Sequence, residues 1–212
     1  MDSILELKNV SFGYTQSLVL ENVNLDIKAG EFVGLIGVNG SGKSTLLKII
    51  LSIVKPTRGE VIKANDVKIG YVNQTTMTEE ATFPATVFEL IALGLKKKPF
   101  SFINKKDKED VNKMLELFSL TPLKNRSIQS LSGGQAQKVK IAKALISNPD
   151  IFVFDEPTTG IDRESEETLL ELINHLHAMK KTIIFVSHDP KDLKNCDKIY
   201  KVSSKTLEVA DV

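Results

Sequence analysis

The sequence predicts an α/β fold with a parallel sheet at its core. Three runs are apolar, Phe32 to Ile36, Ile151 to Phe154 and Thr182 to Val186, and such runs are typical of strands covered on both faces of a parallel sheet. A helical pattern follows the first run, from Lys43 to Ile53, and a second one begins after Asp162, a candidate N-cap. Strands that alternate with helices imply right-handed crossovers, the connections from which α/β folds are built.

Short strands are also predicted in the first part of the chain. Ile4 to Val10, Val19 to Ile27 and Val67 to Val72 are rich in β-branched residues and alternate in part between apolar and polar side chains. This pattern suits antiparallel strands with one solvated face. We therefore expect an N-terminal antiparallel β subdomain.

The middle of the chain is predicted to be helical. Val87 to Leu95 and Ser132 to Ser147 are two candidate helices, and a third carries an apolar stripe that includes Val111, Leu115 and Phe118. No linker sets these helices apart from the core. They are expected to form a helical insertion in an α/β domain.

Length and composition predict one domain and narrow the function classes. We expect a single domain over residues 1–212, with a core of 1–84 and 148–212 and a helical insertion of about 85–147. The formal net charge is +1, so no basic excess points to nucleic acid, and no nucleic-acid partner is expected. Cys196 is the only cysteine, which suits a reducing compartment. The first residues show no signal-peptide pattern, and the apolar runs are too short to span a bilayer, so a cytoplasmic protein is expected.

One segment matches the phosphate-loop pattern G-x-x-x-x-G-K-[ST] between an apolar strand and a helical pattern. Its glycines let several backbone N–H groups face one anion, and the helix N-terminus adds partial positive charge. Lys43 is expected to reach the β- and γ-phosphates of ATP, and the Ser44 hydroxyl to bind Mg²⁺. The candidate ATP-binding residues of this loop are Gly37, Val38, Asn39, Gly40, Ser41, Gly42, Lys43, Ser44 and Thr45.

Two acids, Asp155 and Glu156, end the apolar strand that starts at Ile151. Carboxylates are rarely buried without partners, and beside a phosphate loop the partners would be Mg²⁺ and its waters. Asp155 is expected to hold the metal, and Glu156 to orient or deprotonate the attacking water. Taken alone, the pair is more often just the polar end of a strand.

A second glycine-bearing helix start lies at Leu131-Ser-Gly-Gly-Gln135. Two glycines and a serine before a helical pattern again build an anion-binding terminus. A chain with one ATP-binding loop has no evident need of a second phosphate site. The observation is explained if Ser132, Gly133, Gly134 and Gln135 contact ATP that is bound to another chain.

With these motifs the sequence resembles the ATPase subunits of ABC (ATP-binding cassette) transporters over nearly its whole length. The resemblance implies four more site residues. Tyr14 is similar to the aromatic residue on which adenine stacks, and Gln74 to the Q-loop glutamine that contacts the Mg²⁺ site and couples it to the membrane partner. Asp162 is similar to the D-loop acid of the dimer interface, and His188 to the histidine that contacts the γ-phosphate. Taken singly, each residue has an ordinary structural explanation; Asp162, for instance, could be only an N-cap.

The resemblance also implies a mechanism. Two cassettes, as a homodimer or a pseudo-dimer, close around two ATP molecules, and hydrolysis releases them. Glu156, His188, Lys43 and Gln74 would be catalytic, and Ser44, Gln74 and Asp155 would hold Mg²⁺. A separate integral-membrane permease, supplied by an extracytoplasmic solute-binding protein, would follow the motion and hold this subunit at the inner face of the membrane.

Within the family, the chain looks most like the zinc and manganese importer type. Phe83 to Glu89, Pro157 to Asp162 and His188-Asp-Pro190 resemble segments of that group. Lys138 and Lys143 stand where many members carry arginine, which loses the planar fork of donors. The alternatives are another ABC importer or exporter, or a non-transport ABC ATPase of the iron–sulfur-assembly type.

Overall fold

The computed structural model describes residues 3–72, 84–95 and 102–210 of the chain. It divides into two compact units. Unit 1 comprises residues 1–69, 150–156 and 172–212, and unit 2 comprises residues 70–149 and 157–171. No helix within the described ranges is both long and apolar enough to cross a bilayer.

An antiparallel sheet of three strands lies in unit 1, in the order β2-β1-β4. Strands β1 (Ser3–Phe12) and β2 (Leu20–Lys28) confirm two of the predicted strands. The third is β4 (Arg58–Lys63), which carries too few apolar residues to be predicted. The prediction that Val67 to Val72 belongs to this sheet is wrong, because β5 (Ile69–Val72) is an edge strand of the other sheet.

The second sheet has six strands in the order β5-β6-β7-β3-β8-β9. Strand β3 pairs in parallel with both β7 and β8, β6 pairs in parallel with β7, and β9 is antiparallel to β8. The three apolar runs therefore form parallel strands of one sheet, as predicted, and they lie inside it; no pattern in the sequence predicts β8 and β9. The remaining strands are β3 (Phe32–Ile36), β6 (Ile151–Asp155), β7 (Thr182–Ser187), β8 (Lys198–Ser203) and β9 (Thr206–Val209).

The core of unit 1 lies on both faces of this sheet. On one face, α1 (Lys43–Ile50) and the antiparallel sheet bury leucines, isoleucines and valines against β3, β6 and β7. Phenylalanines fill the opposite face, where Phe185 lies 6.3 Å from both Phe32 and Phe154 between ring centroids. Burial on both faces explains why these strands are apolar at nearly every position.

Unit 2 contains the helices α2 (Val87–Ala92), α3 (Lys105–Leu117) and α4 (Gly133–Leu145). Each begins with a capping box, in which the side chains of the N-cap and of the third helical residue bond to each other's backbone N–H. The predicted stripe is confirmed, since Val111, Leu115 and Phe118 are buried. A further helix, α5 (Arg163–Ala178), begins in unit 2 and ends in unit 1.

Candidate nucleotide-binding site

The phosphate loop connects β3 to α1 in unit 1. Gly40 and Gly42 have φ of 80° and 111°, a backbone region that L side chains rarely adopt. Lys43 folds back over the loop, and its Nζ donates to the Gly37 carbonyl at 2.6 Å and to the Val38 carbonyl at 3.1 Å. The ammonium group is thereby held against the curled backbone of the loop, and Lys43 is only 6% exposed. A cation held in this way is suited to a phosphate group.

Two further features of the loop suit an anion. A Cβ on Gly37 would lie 2.5 Å from the Val202 carbonyl oxygen and 2.7 Å from Ser41 Oγ, so only glycine fits there. Ser41 Oγ is buried without a hydrogen-bond partner among the described residues. The N-cap residue of α1 is Gly42, which has no side chain to satisfy the first N–H groups of the helix. These unsatisfied donors fit the oxygens of a triphosphate.

Tyr14 stands beside the first turn of α1. Its ring is 58% exposed and packs edge-on against Phe12, with centroids 5.0 Å apart. Its hydroxyl lies 3.5 Å from Thr45 Oγ1, and Lys48 Nζ lies 5.7 Å from the ring centroid. The hydrogen bond with Thr45, aided by the Lys48 ammonium, lowers the pKa of Tyr14 despite its partial desolvation. An exposed, anchored ring next to a phosphate loop can stack on a base. Sequence reasoning missed Lys48, whose only signal is its position one helical turn after Ser44.

The ends of β6 and β7 bring Glu156 and His188 together. Both strands run parallel to β3, so their carboxyl ends lie at the same edge of the sheet as the phosphate loop. Glu156 follows β6 with φ of 47°, an uncommon conformation for a non-glycine residue. Its backbone N–H donates to the Val186 carbonyl at 3.0 Å. His188 Nδ1 lies 3.5 Å from Glu156 Oε2.

Glu156 and His188 differ in exposure in a way that suits a reaction centre. The Glu156 side chain is 11% exposed, whereas that of His188 is 60% exposed. Asp155, the last residue of β6, is partly buried. A carboxylate shielded from solvent next to an imidazole can orient a water molecule or accept its proton.

In unit 2, the segment Ser132–Gln135, which we call the signature segment, begins α4. The backbone N–H of Gln135 donates to Ser132 Oγ at 3.3 Å, and that of Ser132 donates to Gln135 Oε1 at 3.1 Å. Ser132 and Gly133 are exposed. Because Ser132 Oγ accepts a bond from its own helix, its hydroxyl hydrogen remains a donor for an outside acceptor.

Asp162 caps the N-terminus of α5, as predicted. Its Oδ1 accepts a bond from the backbone N–H of Ser165 at 3.0 Å, and its Oδ2 accepts one from the Ser165 hydroxyl at 2.8 Å. These two bonds, the backbone one first, lower the pKa of the exposed Asp162 carboxyl. Gln74 and Phe83 lie outside the described residues.

The fold and the phosphate loop between β3 and α1 define a nucleotide-hydrolysing protein of the phosphate-loop class. A more particular assignment comes from known proteins, since the family model described as ABC transporter matches residues 20–159. The chain belongs to the ABC transporter family. It is the ATP-binding subunit of such a transporter, an ATPase, and subunits of this kind act as dimers together with a membrane permease.

Relatives of known role match over most of their length. The zinc uptake system ATP-binding protein ZurA of Listeria monocytogenes is 42% identical over 200 residues, which cover 89% of this chain and 78% of ZurA. The high-affinity zinc uptake system ATP-binding protein ZnuC of Bacillus subtilis is 39% identical over 210 residues, 94% of this chain and 91% of ZnuC. The manganese transport system ATP-binding protein MntB of L. monocytogenes is 39% identical over 197 residues, 87% of this chain and 80% of MntB.

Solved structures agree with the fold. A structure described as an inward-facing ABC transporter of the metal-chelate type superimposes with a TM-score of 0.89 at 27% identity, covering 99% of this chain and 84% of that one. The cassette MJ0796, a dimer in a post-hydrolysis state with ADP and phosphate bound, gives a TM-score of 0.80 at 32% identity, covering 98% and 99%. ATP binding is therefore a property of the family that this chain shares.

Proposed function

We propose that this chain powers the uptake of zinc or manganese through a separate permease, which receives the metal from an extracytoplasmic binding protein. The observation that carries this proposal is the identity of 39–42% with ATP-binding proteins of two zinc uptake systems and a manganese transport system, over 87–94% of the chain. In this arrangement the subunit is cytoplasmic and held at the inner face of the membrane by the permease. Residues 1–212 act as one cassette, with a core of 1–84 and 148–212 and a helical insertion of about 85–147.

In unit 1, the phosphate loop Gly37–Thr45 binds the triphosphate and Tyr14 stacks on the adenine. The curled backbone, the Lys43 ammonium and the unsatisfied N–H groups at the start of α1 support this assignment. The exposed Ser44 hydroxyl and the Asp155 carboxylate are hard oxygen donors, which fit Mg²⁺; Gln74 is the third proposed ligand. Bound Mg²⁺ neutralises charge on the phosphates.

Glu156 orients or deprotonates the attacking water, and His188 contacts the γ-phosphate. The shielded Glu156 carboxylate has the His188 imidazole as a neighbour, with His188 Nδ1 3.5 Å from Glu156 Oε2, which supports a shared role. The φ of 47° at Glu156 ends the extended backbone of β6.

The signature segment of one chain completes the site on its partner, in a homodimer or a pseudo-dimer. The exposed Ser132 hydroxyl can donate to a phosphate oxygen of the partner's ATP, and the start of α4 adds partial positive charge. Asp162 lies at the same interface. Binding of ATP then favours the closed dimer, and hydrolysis releases it.

The proposal is tested by measuring cellular zinc and manganese in source cells that lack this chain. Wild type, Glu156→Gln and the control Glu171→Gln, an exposed glutamate on α5, are expressed in these cells. We expect one metal to fall, and wild type and Glu171→Gln, but not Glu156→Gln, to restore it. If neither metal changes while the purified chain hydrolyses ATP, the chain remains an ABC ATPase and the metal assignment is wrong.

A further inference from the structure

We infer that Ser165 is a positioning residue that fixes the signature segment and Asp162 relative to each other, so that both meet the partner chain as one surface. The inference rests on the proposed dimer. Ser165 lies in the first turn of α5 and belongs to unit 2, whereas the phosphate loop belongs to unit 1. Its effect is therefore expected on dimer closure and not on nucleotide binding by a single chain.

The first observation is the close approach of Ser165 to Gly134. A Cβ built on Gly134 would lie 2.8 Å from Ser165 Cβ, with Ser165 Oγ nearer still, and real Cβ atoms essentially never come closer than 3.0 Å. The first turns of α4 and α5 thus abut with no room for a methyl group. At Gly133 a methyl group fits at ordinary van der Waals distance, because a Cβ there would lie 3.6 Å from the Gly160 carbonyl oxygen and 3.9 Å from Ile161 Cγ2. The tight contact is specific to Gly134 and Ser165.

The second observation is that Ser165 holds both oxygens of Asp162. Its backbone N–H bonds to Oδ1 at 3.0 Å and its hydroxyl to Oδ2 at 2.8 Å. A helix cap needs only the backbone bond. The hydroxyl bond fixes the second carboxylate oxygen, so the same side chain that touches the signature segment also sets the orientation of the D-loop acid.

The experiment compares Ser165→Ala with Thr168→Ala in a Glu156→Gln background, where hydrolysis is slowed. Thr168 is a matched control, since it lies on the same helix and its hydroxyl donates to the Glu164 carbonyl at 2.9 Å. Two quantities are measured: the affinity of dilute monomer for a fluorescent ATP analogue, and the ATP concentration that gives half-maximal dimer in sedimentation. Ser165→Ala is expected to raise the ATP concentration for half-maximal dimer by about three- to tenfold, which corresponds to the loss of one hydrogen bond. The affinity of the monomer for the ATP analogue should stay within about twofold of the parent value. Thr168→Ala is expected to change neither.

A double-mutant cycle with Asp162→Ala separates positioning from a general loss of structure. If Ser165 acts through Asp162, Ser165→Ala adds less than about twofold once Asp162 is removed. Additive effects, or equal dimerisation by Ser165→Ala and its parent, would overturn the inference. If the Glu156→Gln parent itself does not dimerise with ATP, the proposed dimer fails and the inference falls with it.

Discussion

Two helices of this protein begin with glycines, and the two beginnings are built differently. Helix α1 follows Gly42, whose φ of 111° lets the loop curl over the helix end. Helix α4 follows Ser132 in an extended conformation, and its glycines lie inside the helix. At Gly40 and Gly42 of the phosphate loop, glycine is favoured by the positive φ of the backbone, whereas at Gly134 it is required by the neighbouring Ser165. The presence of glycine at the two helix starts therefore has two different physical reasons.

The two helix ends also differ in what they offer to an anion. The first turn of α1 is capped by a residue with no side chain, so its N–H groups depend on a ligand from outside. The first turn of α4 already has a capping box. This difference supports a division of labour in which a single chain binds ATP at α1, and the start of α4 adds to that site only when the dimer closes.

The largest effect is expected at the α1 end. Lys43→Ala should lower the affinity of the monomer for ATP by about 100-fold, because it removes charge-assisted bonds to the phosphates. Isothermal titration of the purified monomer measures this loss. Lys201→Ala, an exposed lysine on β8, is the control and should bind as wild type does. Unchanged affinity in Lys43→Ala would show that the loop binds nucleotide by its backbone alone.

At the α4 end, Ser132→Asp separates capping from anion binding. Aspartate caps a helix as well as serine does, so the unfolding temperature should stay within about 2 °C of wild type. The carboxylate repels the partner's phosphates and lacks a donor, so ATP-driven dimerisation should weaken by at least about tenfold. Sedimentation of the variant in the Glu156→Gln background measures the ATP concentration that is needed for dimerisation. Monomer affinity for ATP is the internal control, and a loss there would contradict the division of labour.

Adjacent glycines of α4 should respond in opposite directions. Gly133→Ala places its methyl at ordinary van der Waals distance on a helical backbone, so the gain in helix propensity, up to about 1 kcal/mol, should raise the melting temperature. Gly134→Ala forces a methyl against Ser165, and overpacking typically costs about 1–3 kcal/mol. Its melting temperature should fall by about 2–4 °C per kcal/mol. Calorimetry of both variants checks this pair, and equal shifts would show that the contact with Ser165 is loose.

The features that could be predicted from the sequence are those set by residues close together in the chain. The apolar central strands, the phosphate-loop connection and the cap at Asp162 each follow from a local pattern, and the structure confirms them. Strands β4, β8 and β9 could not be predicted, because their polar or mixed composition acquires order only by pairing with distant strands. For the same reason the sequence does not reveal that β5 joins the six-stranded sheet. Lys48 and Ser165 emerge only from contacts, which no pattern in the chain encodes. The roles of the site residues stay predictions.

The smallest expected effect concerns the charge on Asp162. The bonds from Ser165 lower the pKa of this carboxyl in the folded protein, so its contribution to stability is present above the unfolded pKa and is lost as pH falls through the folded one. Asp162→Asn keeps the cap but has no charge to lose. The difference in melting temperature between wild type and this variant should be constant above about pH 5 and shrink below about pH 4. The two proteins have every other carboxylate in common, so a difference that does not change with pH would mean that the Ser165 bonds do not favour the charged form of Asp162.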